Sequence, residues 1–139
     1  MEEPRSYDDE WVIREWFERW FVELGFERII PEYIMGRKRR NPEYLRIRRS
    51  GVYRGTGMPD YFALKDGKWL RIEVEANSKG WTDHYHRANQ RDILIVGDMK
   101  KGWMTELDSV NSTWCHFPPI VIDVRTLMHY LAHRTHEAV

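Results

Sequence analysis

The chain has 139 residues, 42% hydrophobic and 14% aromatic, with 22 basic and 22 acidic side chains that cancel to zero net charge. This length fits one domain with a real core, and the composition excludes disorder for the body of the chain. No apolar run approaches the ~20 residues that span a bilayer, and the lone cysteine, Cys115, excludes an intrachain disulfide or a zinc cluster of cysteines.

Met1–Glu2–Glu3–Pro4–Arg5 lacks the basic start and apolar run of a secretory signal. The expectation is a single domain over residues 1–139 in a reducing cytoplasm. The charges are unevenly spread. Acids dominate residues 2–32, whereas Arg37, Lys38, Arg39, Arg40, Arg46, Arg48, Arg49 and Arg54 face only Glu43 in their stretch. A neutral total thus hides a basic patch.

The first predicted element is a helix over residues 8–24, capped by Asp8 or Asp9 and ended by Gly25. Ile13, Trp16, Phe17, Trp20 and Leu24 share one face at helical spacing, a core stripe. Phe26 to Met35 reads as extended, interrupted by Pro31. Residues 36–57 read as a basic loop with one short helix or strand around Tyr44–Arg49.

A hairpin follows, with strands Tyr61–Leu64 and Trp69–Ala76 around the turn signal Asp66–Gly67. A two-residue loop pairs Lys65 with Lys68, Leu64 with Trp69, Phe62 with Arg71 and Tyr61 with Ile72. The next pair outward is Asp60 with Glu73. Leu70, Ile72, Val74 and Ala76 alternate with Arg71, Glu73 and Glu75, so both glutamates share a face. Beyond the hairpin, Ser78 caps a short helix carrying Trp81, Tyr85 and Ala88. Asp92–Val96 reads as a strand buried on both faces, and residues 97–114 as irregular. Pro119 leads into a strand Ile120–Val124, and a closing helix spans Arg125–His136. The order of elements predicts an α/β fold with a central mixed sheet and flanking helices.

The acids at the hairpin carry the chemistry. Directly opposed residues have Cβ atoms ~4.5–5.5 Å apart. At about 5 Å and an effective dielectric of about 20, two carboxylates repel by roughly 3 kcal/mol. A bound divalent cation, a shared proton or a basic partner such as Arg71 can offset this. Hard oxygen donors favour Mg²⁺ or Mn²⁺ over zinc. The competing reading is a set of solvated acids on an open sheet face.

Gly57–Met58–Pro59–Asp60–Tyr61, the hairpin, and Ile72–Glu73–Val74–Glu75 resemble the PD-(D/E)XK nuclease superfamily. There a Pro–Asp pair opens one strand and an acid–x–Lys lies on the next. The superfamily core, helix, three strands, helix and strand, matches the order read over residues 8–97. The segment Glu73 to Val96 is similar to archaeal and viral members. The resemblance implies a restriction endonuclease-like core and Mg²⁺-dependent (or Mn²⁺-dependent) hydrolysis of phosphodiester bonds in DNA. It implies Asp60, Glu73 and Glu75 as catalytic residues, with Asp60, Glu73 and the Val74 carbonyl on the metal. Glu75 stands where the superfamily usually has lysine. A minority of its restriction enzymes also carry acid–x–Glu, and Glu75 then serves as general base or further metal ligand. A fourth acid often comes from the first helix. Glu10 and Glu23 flank the apolar stripe, Glu15 and Glu18 point away, and Glu10 is the expected one. An inactive relative that only binds nucleic acid, or a subunit of a larger DNA-processing complex, is the alternative.

Arg37, Lys38, Arg39, Arg40, Arg48, Arg49 and Arg54 are the expected phosphate contacts, with Tyr44 and Tyr53 as stacking partners. The alternative is a solvated loop or ion pairs with the acidic N-terminus. His84 and His86 are expected to contact the scissile phosphate or to transfer a proton, the alternative being a core-edge imidazole and a surface one. His129, His133 and His136 read as a polar helix face. Trp81, Trp103 and Trp114 read as packing residues and Cys115 as a small buried hydrophobe. One active site per chain and two strands per duplex lead to an expected homodimer.

Overall fold

The computed structural model describes residues 1–34, 39–50, 57–83, 88–99 and 117–137. Its first helix, α1 (Glu10–Trp20), is capped by Asp9, whose side chain accepts the Trp11 amide at 2.9 Å. The chain turns through Gly25, which adopts φ +98°, a conformation that suits a residue with no Cβ. Strand β1 (Arg28–Pro31) follows, with β2 (Tyr33–Ile34) paired to β3 (Arg39–Arg40) as a small separate ribbon. The extended run breaks at Pro31 as expected, into β1 and β2. Pro31 closes β1, an edge strand, where its missing N–H costs least. Helix α2 (Pro42–Arg49) is capped by Asn41 with proline at its first position.

The hairpin is β4 (Tyr61–Lys65) and β5 (Lys68–Asn77), in the predicted register from Lys65↔Lys68 to Tyr61↔Ile72. Asp66 and Gly67 both have positive φ, 51° and 75°, as a turn matched to the strand twist requires. Helix α3 (Ser78–Asp83) begins directly after β5. Its cap is Asn77, not Ser78: the Asn77 carboxamide oxygen accepts the Gly80 amide at 3.0 Å. A single 3₁₀ turn, Ala88–Gln90, leads to β6 (Ile93–Asp98), then β7 (Ile120–Asp123) and α4 (Val124–Glu137). Gly97 and Asp98, expected in irregular chain, belong to β6.

The main sheet has five strands in the order β1-β4-β5-β6-β7. The first two pairings are antiparallel, and β5, β6 and β7 run parallel. Side-chain parity divides the core. Tyr61, Ala63, Ile72, Val74, Ile93 and Ile95 pack on one face with Ile13, Trp16 and Phe17 of α1 and Val124 and Met128 of α4. On the other face Ile30 and Phe62 meet Tyr44 of α2, while Leu94 and Val96 meet Trp81 of α3. Every residue of β6 is buried, in keeping with a central parallel strand. The result is a mixed α/β fold with helices on both faces of the sheet. No helix among the described residues is long and apolar enough to cross a membrane.

Candidate functional site

Strand β4 begins only at Tyr61, opposite Ile72, whereas β5 runs on to Asn77. Beyond Ile72, the β5 edge facing β4 is therefore open, and the chain fills it with a side chain. Asp60 Oδ2 accepts the Val74 amide at 2.8 Å. The segment ahead of Asp60 is pinned: the buried Tyr44 hydroxyl donates to the Pro59 carbonyl at 2.8 Å. On the outer side, the Glu32 amide donates to the Asp60 carbonyl at 2.9 Å. The register expectation that Asp60 meets Glu73 holds, because the two carboxyls are hydrogen-bonded to each other. Glu75 lies two residues on, on the same face. Glu73 and Glu75 are each only 3% exposed, which removes the reading of solvated acids on an open sheet. Gly80 of α3 packs on Glu75 so closely that a Cβ there would lie 2.5 Å from Glu75 Oε2.

Two guanidiniums not anticipated from sequence stand against these acids. Arg14 of α1 donates to Asp60 Oδ1 and, at 3.0 Å, to Glu10 Oε1. Arg91, just before β6, donates through Nε to Glu73 Oε1 at 3.2 Å and through its other nitrogens to the Met58 and Gln90 carbonyls. Arg71, the basic partner suggested by sequence, is used elsewhere. It grips Asp92, with guanidinium bonds of 2.9 and 3.0 Å and a 2.7 Å bond from its own amide.

Of the first-helix acids, the structure brings Glu10 to the site, as expected. Glu23 lies beyond the end of α1 and is exposed. Glu18, expected to point away, is instead half-buried and its Oε2 has no hydrogen bond. Burial raises the Glu18 carboxyl above its ordinary range, against the pull of Arg14. The spacing of Glu10 and Arg14, four apart on one helix face, is the sequence signal that points to Arg14. Arg91 carries no such signal.

The electrostatics follow from this packing. Burial is the largest influence on Asp60 and Glu73 and raises both. Arg14, the Val74 amide and the bond from Glu73 all favour charge on Asp60, so the shared proton rests on Glu73. The Glu73 pKa rises from its ordinary 4.5 to about 9, through burial first and then the Asp60 charge, with Arg91 opposing. Glu10 is also raised, by burial and by Asp60 and Glu75, with Arg14 opposing.

The carboxyl oxygens of this cluster are hard donors, the chemistry that a divalent cation such as Mg²⁺ takes. Asp60, Glu73, Glu75 and Glu10 offer four carboxyls against the two guanidiniums of Arg14 and Arg91. Among the described residues these two are the guanidiniums seen to bond the cluster, and the proton on Glu73 offsets part of the remaining carboxyl charge. Among the described residues, no three His, Cys, Asp or Glu side chains already stand as a ligand cage.

Of the expected phosphate contacts, Arg39, Arg40 and Arg49 are exposed and Arg48 half-buried. Arg40 and Arg48 lie close enough to Glu32 to pull its carboxyl down, against burial and Asp60, which raise it. Tyr44, expected to stack on bases, is fully buried against Phe62 and cannot do so. Trp81 is a packing residue, as expected, at 0% exposure. His129 and His133 lie exposed on α4 with ring centroids 4.0 Å apart. Arg37, Lys38, Tyr53, Arg54, His84, Tyr85, His86, Trp103, Trp114 and Cys115 lie outside the described residues. Compared with family models, curated proteins and solved structures, the chain matches none.

Proposed function

We propose that the chain is a metal-dependent nuclease that hydrolyses phosphodiester bonds in DNA on a restriction endonuclease-like core. One observation carries this reading: four carboxyls converge where β4 begins, three of them buried, with the guanidiniums of Arg14 and Arg91 set against them. The meander β1-β4-β5, followed by α3 and the parallel strand β6, supports it. So do the exposed Arg40 of β3 and the half-buried Arg48 of α2 near Glu32, which suit phosphate binding.

Asp60 and Glu73, with the Val74 main chain, would hold Mg²⁺ or Mn²⁺. When bound, such an ion polarises the phosphodiester and lowers the pKa of a water. The remaining work belongs to the chain itself. Arg14 and the Val74 amide orient Asp60, and Arg91 orients Glu73. Glu75, held under Gly80, accepts the proton of the attacking water at its carboxylate. The water oxygen forms the new P–O bond as a bridging P–O bond breaks.

The test is incubation of purified protein with supercoiled, linear, single-stranded and branched DNA in Mg²⁺, Mn²⁺ or EDTA. Cleavage in either metal, abolished by EDTA and by Asp60→Asn, is expected. No cleavage of any substrate overturns the proposal. One observation favours a second reading, a nucleic-acid-binding module without catalysis: Arg14 and the Glu73 proton already offset much of the buried charge. DNA binding without cleavage supports that reading. Cutting a duplex with one site per chain further suggests a homodimer, which a monomer in sedimentation equilibrium would contradict.

A further inference from the structure

Trp11 is 56% exposed on α1, although tryptophan is the side chain with the most apolar surface to hide. It is not loose. The Arg14 guanidinium stacks over its ring, with Cζ 4.5 Å from the ring centroid. That same guanidinium bonds to Asp60 and Glu10. The indole is thus fixed one side chain away from the acids of the site. One ring face is occupied by Arg14, and the exposed remainder turns outward.

We propose that Trp11 is a stacking platform for an unpaired DNA base next to the scissile phosphate, so that the site acts on single-stranded or frayed DNA in preference to intact duplex. The proposal deepens the nuclease reading and rests on it for the identity of the strand. A four-carboxyl site repels the phosphate it must receive, so affinity has to come from neutral or cationic surfaces around it. An aromatic face supplies it without charge, and a guanidinium behind the ring reinforces the stack. Bases inside a duplex already stack on their neighbours and offer no free face, whereas an unpaired base does. The indole needs no motion to serve, because Arg14 already holds it. Trp11 is therefore a specificity-determining residue and takes no part in the bond-breaking step.

The test uses the full chain in two assays. In EDTA, a single-stranded oligodeoxynucleotide bearing 2-aminopurine at successive positions is titrated with protein, alone and as a duplex. Fluorescence quenching by the wild type on the single strand, absent on the duplex, is expected. Trp11→Ala should lose the quenching, and Trp11→Phe should retain most of it. In Mg²⁺, Trp11→Ala should lower kcat/KM on the single strand by about ten- to a hundredfold, the range set by one base–aromatic stack, and by less than about twofold on duplex. Its urea midpoint should match the wild type, since the side chain is exposed. Unchanged quenching in Trp11→Ala, or equal losses on both substrates, overturns the proposal. Quenching needs no cleavage. A wild type that cuts nothing yet quenches through Trp11 would therefore sink the nuclease reading and uphold the stacking site.

Discussion

Replacing Glu73 with glutamine should stabilise the protein near neutral pH. In the folded chain Glu73 holds a proton that it donates to Asp60, while its other side accepts from Arg91 Nε. Glutamine reproduces both roles without titrating: its amide nitrogen donates and its oxygen accepts. The wild-type chain must take up that proton on folding. Between 4.5 and about 9 the folded state binds more protons than the unfolded state, so stability falls as pH rises through that window. At pH 7, about 2.5 pH units above the ordinary value, uptake costs about 3 kcal/mol at ~1.4 kcal/mol per unit. Glu73→Gln escapes this cost, which corresponds to roughly 10 °C in Tm for a chain of this size. The gain should vanish below pH 4.5, where both states of the wild type are protonated. The assay is urea unfolding followed by circular dichroism at pH 4, 5.5, 7 and 8.5. A variant that is less stable at pH 7, or a difference flat across the series, refutes the shared-proton arrangement. Added Mg²⁺ should raise the Tm of the wild type and not that of Glu73→Gln, because the ion displaces a proton that the amide cannot lose.

Gly80→Ala should drive a Cβ into Glu75 Oε2, costing about 1–3 kcal/mol and cutting cleavage at least about tenfold by displacing that carboxylate; a fully active variant would show that Glu75 tolerates the move. Tyr44→Phe removes the bond to the Pro59 carbonyl and should cost about 1–3 kcal/mol by chemical denaturation, since it strands a buried acceptor. Arg71→Met should cost about 1–2 kcal/mol yet leave the cleavage rate of folded protein unchanged, because Arg71 serves Asp92 and not the site. Burial raises Asp92, but the Arg71 hydrogen bonds outweigh it and hold the carboxyl below its ordinary 3.8. The folded state therefore binds fewer protons in acid, so the wild-type advantage over Arg71→Met should be full at pH 7 and fade as pH falls below about 4.

Much of the frame was legible in sequence because it is local. Asp9, Asp66–Gly67 and the alternation from Leu70 to Ala76 each act within a few residues. They fixed the cap of α1, the turn, the hairpin register and the shared face of Glu73 and Glu75. Counting outward from the turn is enough to put Asp60 against Glu73. Burial of the site and its basic partners was not legible. Arg71 looked like the partner because it is near in sequence, but period-two alternation does not say which basic group folds back from elsewhere. Tyr44 looked like a stacking residue because it sits among arginines, yet a short amphipathic helix turns it into the core beneath Phe62.

The sequence by itself determined that three acids would meet at the end of a hairpin, since strand period and turn length leave no freedom in that register. Tertiary structure decided how they are tolerated. Arg14 comes from 46 residues before Asp60 and Arg91 from 18 residues after Glu73, contacts no local pattern encodes. Packing of α1 and α3 against the sheet removes water from the carboxyls, and that desolvation places a proton on Glu73. The same packing leaves Trp11 outside, held over Arg14 at the edge of the site.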